Sequence, residues 1–485
     1  ELGLHLKLPG EIKANKTTGQ LSAEFNETPQ LPVEQIDLEF KGGPQAPLKN
    51  PDSCGSYTAS YRFTPWSGNP PVTGQTQPIE IDQGCGNGGF APKLEAGVVN
   101  PVAGGYSPLV VNLKREDGED NVSSFELSLP KGELAKLKGV PLCSDSDAAT
   151  GNCTQDSQIG SVAAAVGAGS QPLWIPQPGK APTGVFLAGP YKGAPYSVVT
   201  KVPAQAGPFD LGTVTVRGGL YVDPNTAQAT VKTDPLPQIL EGVPVLYRTI
   251  HVSIDRDQFA LSPTNCNEQS VESAVASAHG AVAHPSDRFQ VGECGALKFG
   301  PSLKLRLKGG TKRAQYPALT ATLSTGRNEA NIRKVSVALP HSEFLAQEHI
   351  NTICTRVQFA QEACPNGSIY GRARAITPLL DEPLEGPVYL RSSDHPLPDL
   401  VIALRGQLDI NLVGRIDSVR GGIRATFEGI PDAPVSRFVL KMKGGKKSLL
   451  VNSTDICSGK HRATVKMGAQ NGKHHDPHPP LSGGC

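Results

Sequence analysis

One phrase is written three times along the chain, each time followed by a cysteine at nearly the same distance. It reads FNETPQLPVEQIDLEFKGG at 25–43, LEGVPVLYRTIHVSID at 240–255 and FEGIPDAPVSRFVLKMKGG at 427–445. Counted from the prolines that align in the three copies, the next cysteine lies 22, 22 and 23 residues further on. Such regular spacing indicates an internal repeat, in which the chain builds one structural unit several times. The aligned prolines are Pro32, Pro244 and Pro434.

Apolar residues alternate with polar ones after each of these prolines. A period of two residues predicts a β-strand with one buried face. The chain also contains 53 Gly and 43 Pro, which disfavour long helices. We therefore expect an all-β protein with few short helices. The alternating residues are Ile36, Leu38 and Phe40; Ile250, Val252 and Ile254; and Phe438, Leu440 and Met442. Strands are expected at 4–8, 34–40, 108–113, 123–129, 196–202, 212–217, 228–232, 246–254, 303–307, 318–323, 333–339, 399–405, 423–427 and 436–443, and short helices at 132–137, 271–280 and 342–349.

A second kind of unit alternates with the first. Residues 106–135 correspond to 316–346, and each stretch is followed by a short loop between two cysteines. We call this unit A and the unit with the repeated phrase unit B. The preferred interpretation is an elongated array of five immunoglobulin-like β-sandwich domains. They are unit B at 1–85, unit A at 86–207, unit B at 208–294, unit A at 295–399 and unit B at 400–485.

An alternative arrangement remains open at this point. Units A and B could intertwine into one larger sandwich, which would make the opening unit B half of a module. Its missing half would then have been cleaved away or would be supplied by another chain, as in strand donation between subunits.

The ten cysteines predict a framework of local disulfides. Read as neighbours, they are separated by 31, 10, 28, 10 and 28 residues, and none of these spacings resembles that of a zinc site. Each bridge should stabilise its unit by on the order of 3 kcal/mol, and disulfides place a protein outside the reducing cytosol. The expected pairs are Cys54–Cys85, Cys143–Cys153, Cys266–Cys294, Cys354–Cys364 and Cys457–Cys485.

Charge and motifs exclude several classes of function. The 46 basic and 45 acidic residues are balanced and scattered, so nucleic acid is not an expected partner. No stretch approaches the roughly 20 apolar residues that span a bilayer. Motifs of nucleophilic, nucleotide-binding and metal-dependent enzymes are missing, so we expect no catalysis and no cofactor. Because the chain begins at Glu1 rather than Met, we also expect that a signal peptide or longer precursor was removed.

A few residues are candidates for binding. Trp66 and Trp174 could stack on sugar rings if they are exposed, and Trp174 lies in an insertion around 172–180 that the other unit A lacks. His474, His475 and His478 form a weak candidate for a metal site, although a flexible polar loop is the preferred interpretation. Metal is therefore not an expected ligand.

The stretches CPNGSIYGRARAITPLLDEPLEGPVYLRSSDHPLPDLVIALRGQL (364–408) and TFEGIPDAPVSRFVLKMKGG (426–445) carry a resemblance. The chain resembles a group of tandem-repeat, secreted bacterial cell-surface proteins of uncharacterised function. The similarity is best over the last 190 or so residues and weaker upstream. It implies an exported protein at the cell surface, and it brings no catalytic residues with it.

The sequence thus favours an extracellular structural protein that assembles with itself into a cell-surface fibre, filament or surface layer. The alternative is a cell-surface adhesin or glycan-binding protein that uses the inserted loop near Trp174. Repetition without a catalytic set of residues fits both interpretations.

Overall fold

The computed structural model describes residues 5–43, 46, 48, 50, 51, 54–83, 89–169, 171–419 and 422–483. This part of the chain is all-β, as predicted, with large curled sheets. Separate immunoglobulin-like sandwiches are not what it shows. None of its helices is long and apolar enough to cross a membrane.

The opening segment, by which we mean the described residues of 5–83, contains only short strands. They join in three antiparallel pairs, β1 with β2, β3 with β6 and β4 with β5. The strands predicted at 4–8 and 34–40 are absent from the described residues of those ranges. The strands present are β1 (Glu11–Ala14), β2 (Leu21–Glu24), β3 (Gly55–Tyr57), β4 (Ser60–Phe63), β5 (Val72–Gln75) and β6 (Ile79–Ile81).

The first module covers residues 89–297. Its strands are β7 (Lys93–Val98), β8 (Leu109–Lys114), β9 (Val122–Ser128), β10 (Leu134–Ala135), β11 (Gln158–Val166), β12 (Leu173–Ile175), β13 (Gly184–Ala188), β14 (Tyr196–Ala206), β15 (Phe209–Val222), β16 (Ala229–Thr233), β17 (Ile239–Leu240), β18 (Val243–Pro244), β19 (Tyr247–Ile254), β20 (Ala260–Leu261), β21 (Gln269–Ser277), β22 (Val282–Ala283) and β23 (Ser286–Phe289). The main sheet runs β22-β21-β9-β16-β15-β14-β13-β11-β19-β8-β7, with β12 added to β11 and β23 added to β21. Two small pairs, β10 with β20 and β17 with β18, lie outside it.

The second module covers residues 298–483. Its strands are β24 (Ser302–Lys308), β25 (Ala318–Ser324), β26 (Ile332–Ala338), β27 (Glu343–Leu345), β28 (Ile369–Ile376), β29 (Leu384–Arg391), β30 (Asp399–Leu404), β31 (Ile410–Val419), β32 (Gly422–Phe427), β33 (Arg437–Met442), β34 (Leu450–Asn452), β35 (Thr464–Ala469), β36 (His474–His475) and β37 (Leu481–Ser482). The main sheet runs β36-β35-β26-β32-β31-β30-β29-β28-β33-β25-β24-β37, and β27 pairs with β34 outside it.

Strands of units A and B alternate within each of these sheets. In the first module β9 of unit A lies between β21 and β16 of unit B, and β19 of unit B lies between β11 and β8 of unit A. The second module repeats this pattern, with β26 between β35 and β32 and β33 between β28 and β25. Separate sandwiches at 86–207, 208–294, 295–399 and 400–485 are therefore not formed. Each pair of units shares one sheet, as the intertwined alternative requires, because β9 and β19 in the first module and β26 and β33 in the second take both neighbours from the other unit.

Short helices occur in places that the sequence did not indicate. Helices α1 (Asp145–Thr150) and α2 (Arg356–Ala360) each lie inside a ten-residue cysteine loop. Helix α1 begins after Ser144, whose side chain accepts from the backbone N–H of Asp147. Helix α2 begins at a capping box formed by Thr355 and Gln358. Single 3₁₀ turns occupy Gln155–Ser157, Cys294–Ala296, Gln347–His349, Asn366–Ser368, Gly445–Lys447 and Ile456–Ser458.

The short helices predicted at 132–137 and 271–280 are wrong, and within 342–349 only Gln347–His349 is helical, as a single 3₁₀ turn. Residues 269–277 form β21 instead, because the buried residues Val271, Ser273 and Val275 alternate with more exposed ones and therefore face one side of a sheet. The other two stretches contain the short strands β10 and β27.

Three of the expected disulfides are present, namely Cys143–Cys153, Cys266–Cys294 and Cys354–Cys364. Cys54 and Cys457 are also disulfide-bonded. Their expected partners, Cys85 and Cys485, lie outside the described residues. Disulfides fit an oxidising compartment outside the cytosol.

The two modules share a core and a polar anchor. One cluster of buried apolar residues runs from Leu113 in the first module to Tyr370 in the second. At the junction Asp432, which is 6% exposed, accepts hydrogen bonds from the N–H and hydroxyl of Thr264 (2.8 and 2.6 Å). It also accepts from Asn265 and Asn331. A buried carboxylate with this many donors holds the modules in one register.

Candidate functional site

The repeated phrase has a well-defined environment in its second and third copies. In the second copy Ile250 lies opposite Ala164 of β11 on one side and Leu113 of β8 on the other. In the third copy Leu440 lies opposite Ala373 and Ala321 of the equivalent strands β28 and β25. Both edges of the phrase strand are thus occupied by strands of unit A.

Close approach of these backbones explains a glycine that recurs in unit A. A Cβ at Gly160 of β11 would overlap the carbonyl oxygen of Ser253 on the phrase strand. A Cβ at Gly371 of β28 would meet the carbonyl oxygen of Lys441 in the same way. Strand β11 shifts register after Gln158 and β28 after Ile369, so both glycines sit next to a bulge.

The opening copy of the phrase has no such neighbours among the described residues. Ile36, Leu38 and Phe40 are 67%, 59% and 57% exposed, whereas Ile250 in the second copy is 9% exposed. All of 34–40 is described, and none of it is a strand. Because the apolar alternation is the same in the three copies, the difference lies in the unit A strands, which flank the second and third copies but not the first among the described residues. Propensity alone does not form this strand.

Apolar exposure continues through the rest of the opening segment, although a monomeric protein seldom leaves this much apolar surface in contact with water. The large apolar residues that are exposed there are Leu6, Leu8, Ile12, Leu21, Phe25, Leu31, Val33, Ile36, Leu38, Phe40, Leu48, Tyr61, Phe63, Trp66, Val72 and Ile79. We call this set the unpaired apolar face. The two modules do not use this set of residues, and it is our candidate functional site.

The tryptophans singled out in the sequence are both exposed, but they lie in different parts of the molecule. Trp66 is 59% exposed in the opening segment, and its indole N–H donates to the carbonyl of Thr28 at 3.1 Å. Trp174 is 48% exposed on β12, which the insertion adds to β11 opposite Ala165. They do not form one binding platform.

The histidine candidates lie on and beside strand β36, where His474 and His475 pair with β35. His474 and His478 are exposed and His475 is partly buried. Among the described residues, no group of three or more His, Cys, Asp or Glu side chains is placed to hold a metal ion. The three histidines therefore do not converge on a common site.

Two buried glutamates are a feature that the sequence analysis missed. Glu133 is 1% exposed and Glu343 is completely buried, and the carboxyl oxygens of both lack a hydrogen bond of normal geometry among the described residues. Burial raises the pKa of Glu133 to about 8 and that of Glu343 to about 7, and the hydroxyls of Ser262 and Ser342 offset this only in part. The sequence did contain a pattern that could have identified them, because in both A units a Glu lies three residues after a Pro.

Comparisons with known proteins leave the family open. No family profile and no curated protein matches the chain. One similar solved structure is a protein from Corynebacterium diphtheriae described as membrane anchored, with 11% identity, 88% of this chain and 93% of that chain covered, and a TM-score of 0.18. Another is alpha-2-macroglobulin of Escherichia coli activated by porcine elastase, with 11% identity, 89% of this chain and 47% of that chain covered, and a TM-score of 0.08. Neither score is high enough to assign a fold or a function.

Proposed function

We propose that the protein is an extracellular structural protein, a subunit of a cell-surface fibre, filament or surface layer, with no catalytic role. The proposal rests on a contrast between the copies of unit B. The opening copy leaves the unpaired apolar face exposed, whereas unit A strands flank the phrase strand in the second and third copies. Local disulfides and repeated modules suit a protein that works outside the cell as a building element.

The repeat also indicates how the opening segment would associate. Its counterparts are completed by adding strands on both edges, which is the geometry of strand addition between chains. Both A units among the described residues already hold a unit B, and on this proposal a unit A of another chain completes the opening unit. For the purified protein we expect copies to associate through the unpaired apolar faces.

The test compares the chain with the triple variant Ile36→Lys, Leu38→Lys and Phe40→Lys. We expect polymeric material by electron microscopy for the parent chain and a shift to monomers by light scattering for the variant. A matched control places Lys at three half-exposed positions of the second module, Thr320, Thr322 and Ser324, which alternate along β25. The proposal fails if the parent is strictly monomeric at high concentration, or if the triple variant associates as strongly as the parent.

Glycan binding is the second candidate, and the exposure of Trp174 on the inserted strand favours it. An indole with about half of its surface free can stack on a sugar ring. On this proposal, binding on a glycan array is lost in Trp174→Ala and kept in Trp66→Ala. A chain that binds no glycan, or a Trp174→Ala variant that binds as well as the parent, rules it out.

A further inference from the structure

The curled sheet of the second module encloses a cavity of about 870 Å³. Its walls come from strands β24 to β26 and β30 to β33, and loop 103–106 of the first module covers one end. A cavity of this size lies within the range of small-molecule sites, roughly 300–1,000 Å³.

The walls are apolar and are incompletely covered by protein. Leu323 and Val337, which line the cavity, remain partly exposed, as do Phe438 and Leu440 of the phrase strand. Elsewhere in the same sheet the core is filled, and Val388 and Val401 are completely buried. Interiors are normally packed as tightly as organic crystals, so an apolar surface left open inside a module is suited to an apolar guest.

Among the charged residues that line the cavity, positive ones outnumber negative ones. Lys138 of the first module and Arg327 of the second both line it and are exposed. Neither forms an ion pair with a described residue, whereas the nearby Glu329 accepts from the backbone N–H of Gly326 at 2.9 Å. The backbone of Lys138 is fixed by a hydrogen bond from its N–H to the carbonyl of Leu379. Two cations thus stand at the edge of an apolar chamber.

We propose that this cavity binds a single-chain amphiphile of the fatty-acid class, with its aliphatic tail between the sheet walls and its carboxylate at Lys138 and Arg327. The tail gains free energy from burial in proportion to its apolar area. The head group stays at the wet mouth, where the two cations attract it without the cost of burying a charge. This site is independent of the unpaired apolar face and of the assembly proposed above.

A smaller cavity between the two modules is less suitable. It measures about 300 Å³, is lined by Glu133 of the first module and by residues of the second module such as Leu404, and shares Pro434 and Phe438 with the larger cavity. Its volume is at the lower end of the range of small-molecule sites.

The experiment uses the full chain after delipidation, with dansyl-undecanoic acid as the probe and its neutral methyl ester for comparison. Ala321→Phe fills the chamber from β25, and Thr322→Phe places the same ring on the opposite face of that strand as the control, since Ala321 lines the cavity and Thr322 does not. We expect saturable fluorescence enhancement in the parent and in Thr322→Phe, and at least a tenfold weaker affinity for both probes in Ala321→Phe.

The charge test uses Lys138→Glu together with Arg327→Glu, both at exposed positions where we expect the charge reversal to leave the fold intact. Affinity for the acid should fall about tenfold, and affinity for the ester should stay the same. A parent that binds neither probe, or equal affinities in the parent, the cavity variant and the mouth variant, would overturn the proposal. It would also be overturned if probe binding weakened with protein concentration and recovered in the triple lysine variant, because the occupant would then be the opening segment of a second copy.

Discussion

At the scale of single residues, the buried acidic side chains have opposite hydrogen-bonding environments. Asp432 is surrounded by donors from both modules, whereas Glu133 and Glu343 are buried without hydrogen bonds of normal geometry among the described residues. The first links the two modules through its hydrogen bonds. The other two are stable mainly as neutral acids.

Replacing Asp432 should therefore loosen the junction between the modules. Asp432→Asn keeps the shape but turns one accepting oxygen into a donor, which then faces the donors of Thr264 and either Asn265 or Asn331. We expect the free energy of unfolding to fall by about 3 kcal/mol, measured by urea denaturation. The exposed Asp476→Asn is the matched control and should have little effect. An Asp432→Asn variant as stable as the control would show that the network does not hold the junction.

Glu133 should make stability depend on pH in a defined direction. The pKa of an unfolded glutamate is about 4.3, and that of folded Glu133 is about 8. Between these values the folded state keeps a proton that the unfolded state has released, so the free energy of unfolding falls as pH rises. Each such group contributes a slope of at most about 1.4 kcal/mol per pH unit.

Glu133→Gln removes this titration and should flatten the curve, leaving the variant more stable than the parent above pH 8. Denaturation at a series of pH values measures it, with the exposed Glu382→Gln as the control. Parallel curves for the parent and Glu133→Gln would mean that the carboxyl is ionised throughout.

At the scale of elements, the phrase strand requires two close neighbours, and the recurring glycine permits one of them. Gly160→Ala would force β11 away from β19, and we expect a loss of about 2 kcal/mol or more in the free energy of unfolding. Gly97→Ala in β7 is the control, because a Cβ there has open space. Equal thermal stability of the two variants would refute this explanation of the recurrence.

Most elements were predictable from local pattern, and their partners were not. The alternation at 246–254 and 436–443 predicted β19 and β33, because apolar residues at every second position indicate a strand regardless of which strands pair with it. The helices in the cysteine loops were missed, since a single turn depends on one cap such as Ser144 and carries no periodic signal. For the candidate site, the sequence showed the apolar alternation at 34–40 but could not show that it would remain exposed.

At the scale of the whole molecule, the interleaving of units A and B could not be derived from the repeat. Strand β9 hydrogen-bonds to β16 and β21, which lie about a hundred or more residues further along the chain, and local patterns hold no information about such pairs. Cysteine spacing indicated compact units because the bridges are local. The cysteine spacing did not indicate which strands lie side by side.

Backbone hydrogen exchange measured by mass spectrometry tests the central claim most directly, since it compares the three copies of the phrase in one molecule. We predict strong protection at 247–254 and 437–442, where unit A strands occupy both edges, and rapid exchange at 34–40 in dilute protein. Equal protection of all three copies in the monomer would contradict the claim that, among the described residues, no unit A strand flanks the opening copy.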